Sequence, residues 1–408
     1  MKPLGPIPAA YGAIDGVLAV GGRKVTDLVD EAGGTPLFVY SADMLRDRVA
    51  QLRKAMPQRL ALHYAIKANP FLPILKLFSE LVDGFDIASG GELGIITGAG
   101  IDPALVSFAG PGKRDRELEA AISAGVTLNL ESEAEAERAL AIAYRLGKTP
   151  RLAIRVNPDF DLKGSGMKMG GGAKPFGVDA ERVPSLAKRI IASGAEWRGF
   201  HIYAGSQALD AEAVADTQAQ TLALAARLAR ETGTPLPHCN LGGGFGIPYF
   251  PGDVPLDLAL VGRLLSEQFE ALPDEIADTH FCIELGRYLA GEAGVYLATV
   301  IDRKESHGEV FLVTDGGMHH QLAASGNFGT VVRRNYPSAI ATKFGVSAEE
   351  EASIVGCLCT PLDRLADKGH FPRTEVGDLV AIFCAGAYGA SASPSAFLGQ
   401  GPALEMLV

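Results

Sequence analysis

The sequence predicts an α/β fold, a (β/α)8 barrel followed by a β domain, and three observations carry that prediction. From about residue 60 to residue 288, short apolar runs alternate with segments of helical spacing. After Arg287 the alternation stops, and strand-like runs follow one another through turn-rich connections. At 408 residues the chain is longer than a single core usually grows, so more than one domain is expected.

Taken in order, residues 1–40 contain AIDGVLAVGGRKV, which reads as a hairpin segment that joins the β domain. Residues 41–288 are assigned to the barrel. Its strands are the runs ALHYAIKA, GFDIAS, LVSFAG, VTLNLE, RLAIRVN, WRGFHIYAG, HCNLGGG and FCIELGR. Between them, helical spacing marks residues 73–82, 114–123, 132–146, 180–193, 211–231 and 256–272. Ser132 followed by Glu135 fits a capping box. Strands separated by helices pair in parallel, because parallel pairing needs crossovers, and eight such units close into a barrel. A doubly wound open sheet is the alternative reading of the same alternation. Residues 289–408 form the C-terminal β domain, with strands at GVYLATVID, EVFLVTD, ASIVGCL and LVAIFCAGAYG. Two segments are irregular: the Gly-rich residues 159–177, a candidate lid or a plain insertion, and the polar residues 316–336.

Bulk composition narrows the function classes. Charged residues make up 21% and hydrophobic ones 47%, as in an ordinary soluble globular protein. A net charge of -11 argues against nucleic acid or an anionic membrane as the main partner. No signal-peptide core and no 18-residue apolar run is present, and five scattered cysteines do not make a disulfide framework. A reduced, cytoplasmic protein is expected. Cys357 and Cys359 lack the spacing and the histidines of a zinc site, so no metal is expected.

In a barrel of this kind chemistry sits at the carboxyl ends of the strands. Those ends carry Lys67, Asp86 with Ser89, Glu131, Arg155 with Asn157, His201 with Tyr203, Gly205-Ser206, Gly242–Gly246, and Glu284 with Arg287. Each has a plain reading: Glu131 as a helix cap, His201 as a core histidine, Gly242–Gly246 as a tight turn, Lys67 as the partner of Glu131 or Asp86. Their common address favours a site. A lysine desolvated in the mouth is a nucleophilic amine that can form a Schiff base. Consecutive glycines let backbone N–H groups approach a phosphate, and Arg287 adds a cation. Glu284 can hold a ring nitrogen protonated, and Tyr203 can stack on the ring. Together these parts describe a site for pyridoxal 5'-phosphate.

Seven motifs occur in order over nearly the whole chain: YAIKAN (64–69), GFDIASGGEL (84–93), HIYAGSQ (201–207), NLGGGFGIPY (240–249), ELGR (284–287), CTPLD (359–363) and GAYGAS (386–391). They resemble the fold type III pyridoxal-phosphate decarboxylases, which include diaminopimelate and ornithine decarboxylases. GSGMKMGGG and HHQLAASGNFG further resemble the group of exosortase A system-associated pyridoxal-dependent decarboxylases. The chain is also similar to relatives that act on carrier-protein-bound glutamate. The resemblance implies that Lys67 carries the cofactor as a Schiff base, with Glu284 on the pyridine nitrogen and Asp86 and Tyr203 beside the ring. It places Ser206, Gly243, Gly244, Arg287 and Tyr388 around the phosphate. It makes Cys359 the proton donor after decarboxylation, reaching in from a neighbouring subunit, so a homodimer is implied.

Three departures from that pattern bear on the substrate. Tyr203 stands where the family stacks a histidine. Thr360 stands where relatives place an acidic residue that reads a distal amine. An arginine for a distal carboxylate is missing near residues 318–324, where His319 lies instead. Thr360 and the missing arginine argue against diaminopimelate and against simple ornithine or lysine, while Asp363 keeps a basic substrate open. The expected activity is α-decarboxylation of an amino acid, free or carrier-linked, with ordinary diamino-acid decarboxylation as the alternative. A non-catalytic decoy and a cofactor-free Schiff-base enzyme are the rivals from other classes. An alanine racemase is disfavoured because Glu284, rather than arginine, is at the ring-nitrogen position.

Overall fold

The computed structural model describes residues 2–164, 166–326 and 334–408. It divides into two compact units: Val49–Gly246 with Pro255–Gly286, and Met1–Arg48 with Ile247–Val254 and Arg287–Val408.

The first unit is a closed parallel barrel. Its strands are β1 (Ala61–Ala65), β2 (Gly84–Ile87), β3 (Val106–Phe108), β4 (Thr127–Leu130), β5 (Arg151–Asn157), β6 (Glu196–Ile202), β7 (His238–Gly243) and β8 (His280–Leu285). Each pairs in parallel with its neighbours, and β8 closes onto β1 through Cys282↔Ala61 to Leu285↔Tyr64. Closure decides against the open sheet, which would leave two edges unpaired. Between the strands run α1 (Leu72–Phe78), α2 (Gly90–Gly98), α3 (Asp115–Ala124), α4 (Glu133–Leu146), α5 (Val183–Ala192), α6 (Ala211–Thr232) and α7 (Leu258–Glu270). Local chemistry starts and stops them. Ser89, Asp210 and Asp257 side chains accept from the first-turn amides of α2, α6 and α7. Gly125, Gly147 and Gly233 end α3, α4 and α6 in the left-handed region.

The capping box of α4 is only half formed. Ser132 Oγ accepts from Glu135 N at 3.1 Å, but the Glu135 carboxylate turns away to Lys113 Nζ at 2.6 Å and Glu131 N at 3.2 Å. Lys113 is fully buried there, and its two remaining hydrogen bonds go to the Gly110 and Asn129 carbonyls.

Successive residues of a strand face opposite sides. On β1, Leu62 and Tyr64 are buried while Ala61 and His63 line the interior. The interior positions of the other strands include Asp86, Asn129, Arg155, Asn240 and Glu284, so this barrel is filled with polar side chains rather than the usual branched aliphatics.

The second unit is built on an eight-stranded mixed sheet. Its long strand Gly294–Ser306 pairs with Leu37–Tyr40, Glu309–Thr314 and Leu379–Ile382, all antiparallel. Leu37–Tyr40 also pairs in parallel with Leu404–Leu407, bringing the two ends of the chain into one sheet. The hairpin Gly12–Ile14 with Val17–Val20 lies in this unit. Leu18, Val39, Val295, Leu297, Ala381 and Phe383 belong to its apolar core. The strands Ser338–Ile340, Arg364–Phe371 and Leu404–Leu407 were not foreseen. RLADKGHF mixes polar and small residues with few large apolar ones; Leu365, Ala366, Asp367, Gly369 and Phe371 are buried and Arg364, Lys368 and His370 half-buried. Among the described residues, no helix is long and apolar enough to cross a membrane.

Candidate active site

At the carboxyl ends of the barrel strands lies a cavity of about 200 Å³, and Lys67, Asp86, Arg155, His201, Tyr203 and Glu284 all line it. The strand carrying the lysine stops at Ala65, earlier than its apolar run suggested. Ile66–Ala68 form a 3-10 turn, and Lys67 is exposed rather than desolvated by its own chain. Its ammonium lies 6.0 Å from the centre of the Tyr203 ring. Its charge is felt at Glu284 and at Glu92, whose carboxylate accepts from Ala88 N at 2.6 Å.

Glu284 is the best-held group of the mouth. It is 7% exposed, and its Oε2 meets His201 Nε2 at 2.9 Å and Asn240 Nδ2 at 3.1 Å. Burial alone would raise its pKa. The charges of His201, Lys67 and Arg155 outweigh burial and hold it at about 2. Glu284 is therefore a carboxylate at any working pH. His201, read from sequence as a core histidine, is a buried partner of this carboxylate, and its Nδ1 has no hydrogen-bond partner among the described residues.

The partners proposed for Lys67 are engaged elsewhere. Glu131 accepts from Arg155 at 2.9 Å, from Gly110 N at 2.7 Å and from Gly177 N at 2.7 Å. It does not cap a helix. It fastens the loop after β3 and the end of the Gly-rich segment to β5. Asp86 faces His63 Nδ1, at 3.3 Å.

The Gly-rich segment is ordered onto the mouth by backbone bonds. Met167 and Lys168 pair with Ser206 and Gly205, and Met169 N and Gly170 N donate to Ala204 O. Met169 and Phe176 thereby line the cavity, and Arg155 stacks on Phe176 at 4.9 Å. Neither was singled out in the sequence; only their place in a loop after β5 pointed to them. Asn240, the amide on Glu284, was also missed, although its parity on β7 turns it inward.

The loops after β6 and β7 are knitted together. Ala208 N donates to Gly244 O at 3.0 Å, and Gly246 N donates to Ala208 O at 2.8 Å. A Cβ on Gly243 would stand 2.3 Å from Glu284 O, and one on Gly244, at φ +79, would stand 2.3 Å from Gly205 O. The glycines are thus required by packing, and they leave a side-chain-free wall next to Ser206.

In the second unit, Arg287 donates to Tyr249 Oη at 2.7 Å and lies 4.7 Å from the Tyr388 ring centre. Its Nε is buried without an acceptor among the described residues, an orphan that an anion satisfies. Tyr388 sits in the left-handed region at φ +58, a strained backbone of the kind found at ligand clamps. Arg287, Tyr249 and Tyr388 suit a phosphate, the glycine wall suits close approach, and Lys67 with Glu284 suits a pyridine aldehyde.

The other named residues are also in the second unit. Cys359 is exposed on the turn after Glu350–Val355, and Thr360 caps that turn by accepting from Leu362 N at 3.3 Å. Asp363 is 3% exposed, and its Oδ1 accepts from Met318 N at 2.7 Å and its Oδ2 from Leu358 N at 2.9 Å, so its carboxylate braces two backbone segments. His319 is fully buried, its ring centre 3.8 Å from that of His320. Asn327 to Gly329 of the HHQLAASGNFG motif lie outside the described residues.

The family model described as pyridoxal-dependent decarboxylase, pyridoxal binding domain, matches residues 42–291. The chain belongs to this family. It is 36% identical over 379 residues to an L-glutamyl-[BtrI acyl-carrier protein] decarboxylase of Niallia circulans, covering 91% of this chain and 88% of that protein. It is 34% identical over 383 residues to the diaminopimelate decarboxylase of Aquifex aeolicus, covering 92% and 87%. Its fold matches the diaminopimelate decarboxylase of M. jannaschii crystallised with L-lysine, at a TM-score of 0.87 and 26% identity, covering 98% of this chain and 93% of that one. This pyridoxal-dependent decarboxylase is therefore a carboxy-lyase that uses pyridoxal phosphate, built as a barrel with a β domain.

Proposed function

We propose that this decarboxylase removes the α-carboxylate of an amino acid that presents no free distal amine, with an acidic or carrier-tethered glutamyl group as the leading class. The observation that carries this is Thr360: next to Cys359 it offers a hydroxyl, already engaged in its own turn, and no charge for an ammonium group. Asp363, the remaining acid of the motif, is committed to the backbone. The Niallia relative, whose name specifies a carrier-bound glutamyl substrate, supports the same reading. The diaminopimelate relatives support the alternative, a diamino acid.

In this reading Lys67 holds the cofactor through its amine, Tyr203 covers the ring, and the glycine wall, Ser206, Arg287 and Tyr388 hold the phosphate. Bound there, pyridoxal phosphate supplies a sink for the electron pair released when carbon dioxide leaves. The chain's own groups do the rest. Glu284, kept ionised by His201 and Asn240, holds a proton on the pyridine nitrogen. Met169 and Phe176 exclude water from the mouth. Cys359, exposed on its turn, delivers a proton to the carbon left behind. Its exposure supports delivery across an interface, hence a homodimer. The sparse cysteines support a cytoplasmic setting.

The test is carbon dioxide release from the cofactor-loaded protein on lysine, ornithine, arginine, meso-diaminopimelate, glutamate and carrier-linked glutamate, with Lys67→Ala as control. Release from glutamate or its carrier-linked form alone is expected. Turnover of a diamino acid as the best substrate would overturn the reading of Thr360.

A further inference from the structure

The motif NLGGGFGIPY supplies the glycine wall and ends in Tyr249. Tyr249 is buried and held from two sides. Its own amide and that of Phe250 both donate to Asp253 Oδ2 at 3.0 Å, which closes the turn that carries it. Its ring packs on that of Tyr336, with centres 4.7 Å apart. A buried phenol needs a hydrogen-bond partner. The partner is Arg287, whose Nη1 donates to Tyr249 Oη at 2.7 Å.

That bond sorts the nitrogens of the guanidinium. Nη1 is taken by the phenol. Nε is buried and has no acceptor among the described residues. Nη2 has no hydrogen bond to a described residue either. Nε and Nη2 carry N–H bonds along one edge, the edge that meets two oxygens of a phosphate or a carboxylate side by side. Among the described residues no carboxylate pairs with Arg287; its neighbours are the phenols of Tyr249, Tyr388 and Tyr336. Burial pushes the Tyr249 phenol up to about 12 while Arg287 pulls it down, so the oxygen facing Arg287 is uncharged at working pH. A neutral partner orients the cation without neutralising it.

We propose that Tyr249 is a positioning residue for the cofactor's phosphate: it acts through Arg287, fixing the guanidinium by Nη1 and leaving the Nε–Nη2 edge for that anion. A lysine in place of Arg287 would bring the charge but not the edge. The inference rests on the reading that Arg287 holds the phosphate. A substrate carboxylate is the other anion that fits the same edge, and the experiment separates the two.

The experiment strips the full-length enzyme of cofactor and titrates it, by absorbance, with pyridoxal phosphate and with pyridoxal, which lacks the phosphate. Tyr249→Phe keeps the ring and loses the hydroxyl. It is expected to weaken pyridoxal phosphate by about ten-fold and to leave pyridoxal within about two-fold. Arg287→Lys is expected to weaken pyridoxal phosphate by about ten-fold or more. Adding Tyr249→Phe to Arg287→Lys should then cost nothing further, because the hydroxyl has no fork left to orient. In a folded Tyr249→Phe, an unchanged affinity for pyridoxal phosphate overturns the proposal. An equal loss with pyridoxal also overturns it and marks a structural role. So does an Arg287→Lys that keeps the unaltered affinity, whether or not the Tyr249 variant folds. Arg287→Ala tells this failure from that of the underlying reading. If it binds pyridoxal phosphate as tightly as the unaltered enzyme and instead raises substrate KM, the edge serves a substrate carboxylate, and the phosphate reading falls with the proposal. If it loses pyridoxal phosphate while Tyr249→Phe does not, only the role of Tyr249 falls.

Discussion

In the sheet unit, Leu18, Val39, Leu297 and Phe383 fill a core without a charge. In the barrel, the interior holds Asp86, Arg155, His201, Asn240 and Glu284, all less than a tenth exposed. Polar groups are costly to bury unless partnered, and four of these five have a hydrogen-bonded partner: Arg155 with Glu131, and His201 and Asn240 with Glu284. The barrel can carry them because Leu62, Phe85, Ile154 and Ile283, buried on alternate positions of the same strands, supply apolar packing there. The two units therefore separate what a substitution costs. Inside the barrel it costs activity first; inside the sheet unit it costs stability first.

Four substitutions break or sharpen that contrast. Lys67→Ala has the largest effect: carbon dioxide release falls by on the order of 10³-fold or more while the melting temperature barely moves, because the side chain is exposed. A parallel loss of stability would contradict the contrast. Glu284→Gln comes next, with kcat lower by roughly 10²- to 10³-fold. Its pH signature is separate. Because Glu284 is held at about 2, below the ordinary carboxylate value of 4.5, the stability it contributes is complete above that ordinary value and is lost as the pH falls towards 2. Urea titrations between those limits should show a shallower acid slope in the Gln variant; an unchanged slope would remove Glu284 from the acid limb. Leu297→Ala, in the sheet core, should cost about 2–5 kcal/mol in denaturant titration with kcat per folded molecule unchanged. The smallest effect is expected from Glu131→Gln. It weakens the hold on Gly110, Gly177 and Arg155, raising KM by about ten-fold, with a loss of about 1–3 kcal/mol in stability. A KM left at the unaltered value would show that the Gly-rich segment does not depend on Glu131.

The barrel was legible because each of its eight strands is a short apolar run bounded by turn residues, a signal local to the strand. The mouth was legible as a list of residue types at strand ends. What the sequence withheld was the pairing. His201 with Glu284 and His63 with Asp86 join residues 83 and 23 apart, through strand order and register, which one sequence does not display. The exposure of Lys67 was hidden because an apolar run does not say where a strand gives way to a 3-10 turn. The two backbone bonds of Asp363 were hidden because a motif records a residue type and not the direction of its carboxylate. Strand Arg364–Phe371 escaped because it holds only two large apolar residues, Leu365 and Phe371, and its burial does not follow a strict alternation.

The ribbon that lays Met167 and Lys168 on Ser206 and Gly205 is held by main-chain atoms, as are the bonds from Met169 and Gly170 to Ala204. Such an attachment is indifferent to the side chains it presents. The positions now occupied by Met169 and Phe176 can be rewritten without undoing the anchor, so substrate range could diversify there by point mutation while the fold and the cofactor's lysine stay as they are. For anyone retailoring this decarboxylase, that segment is the natural place to build a library.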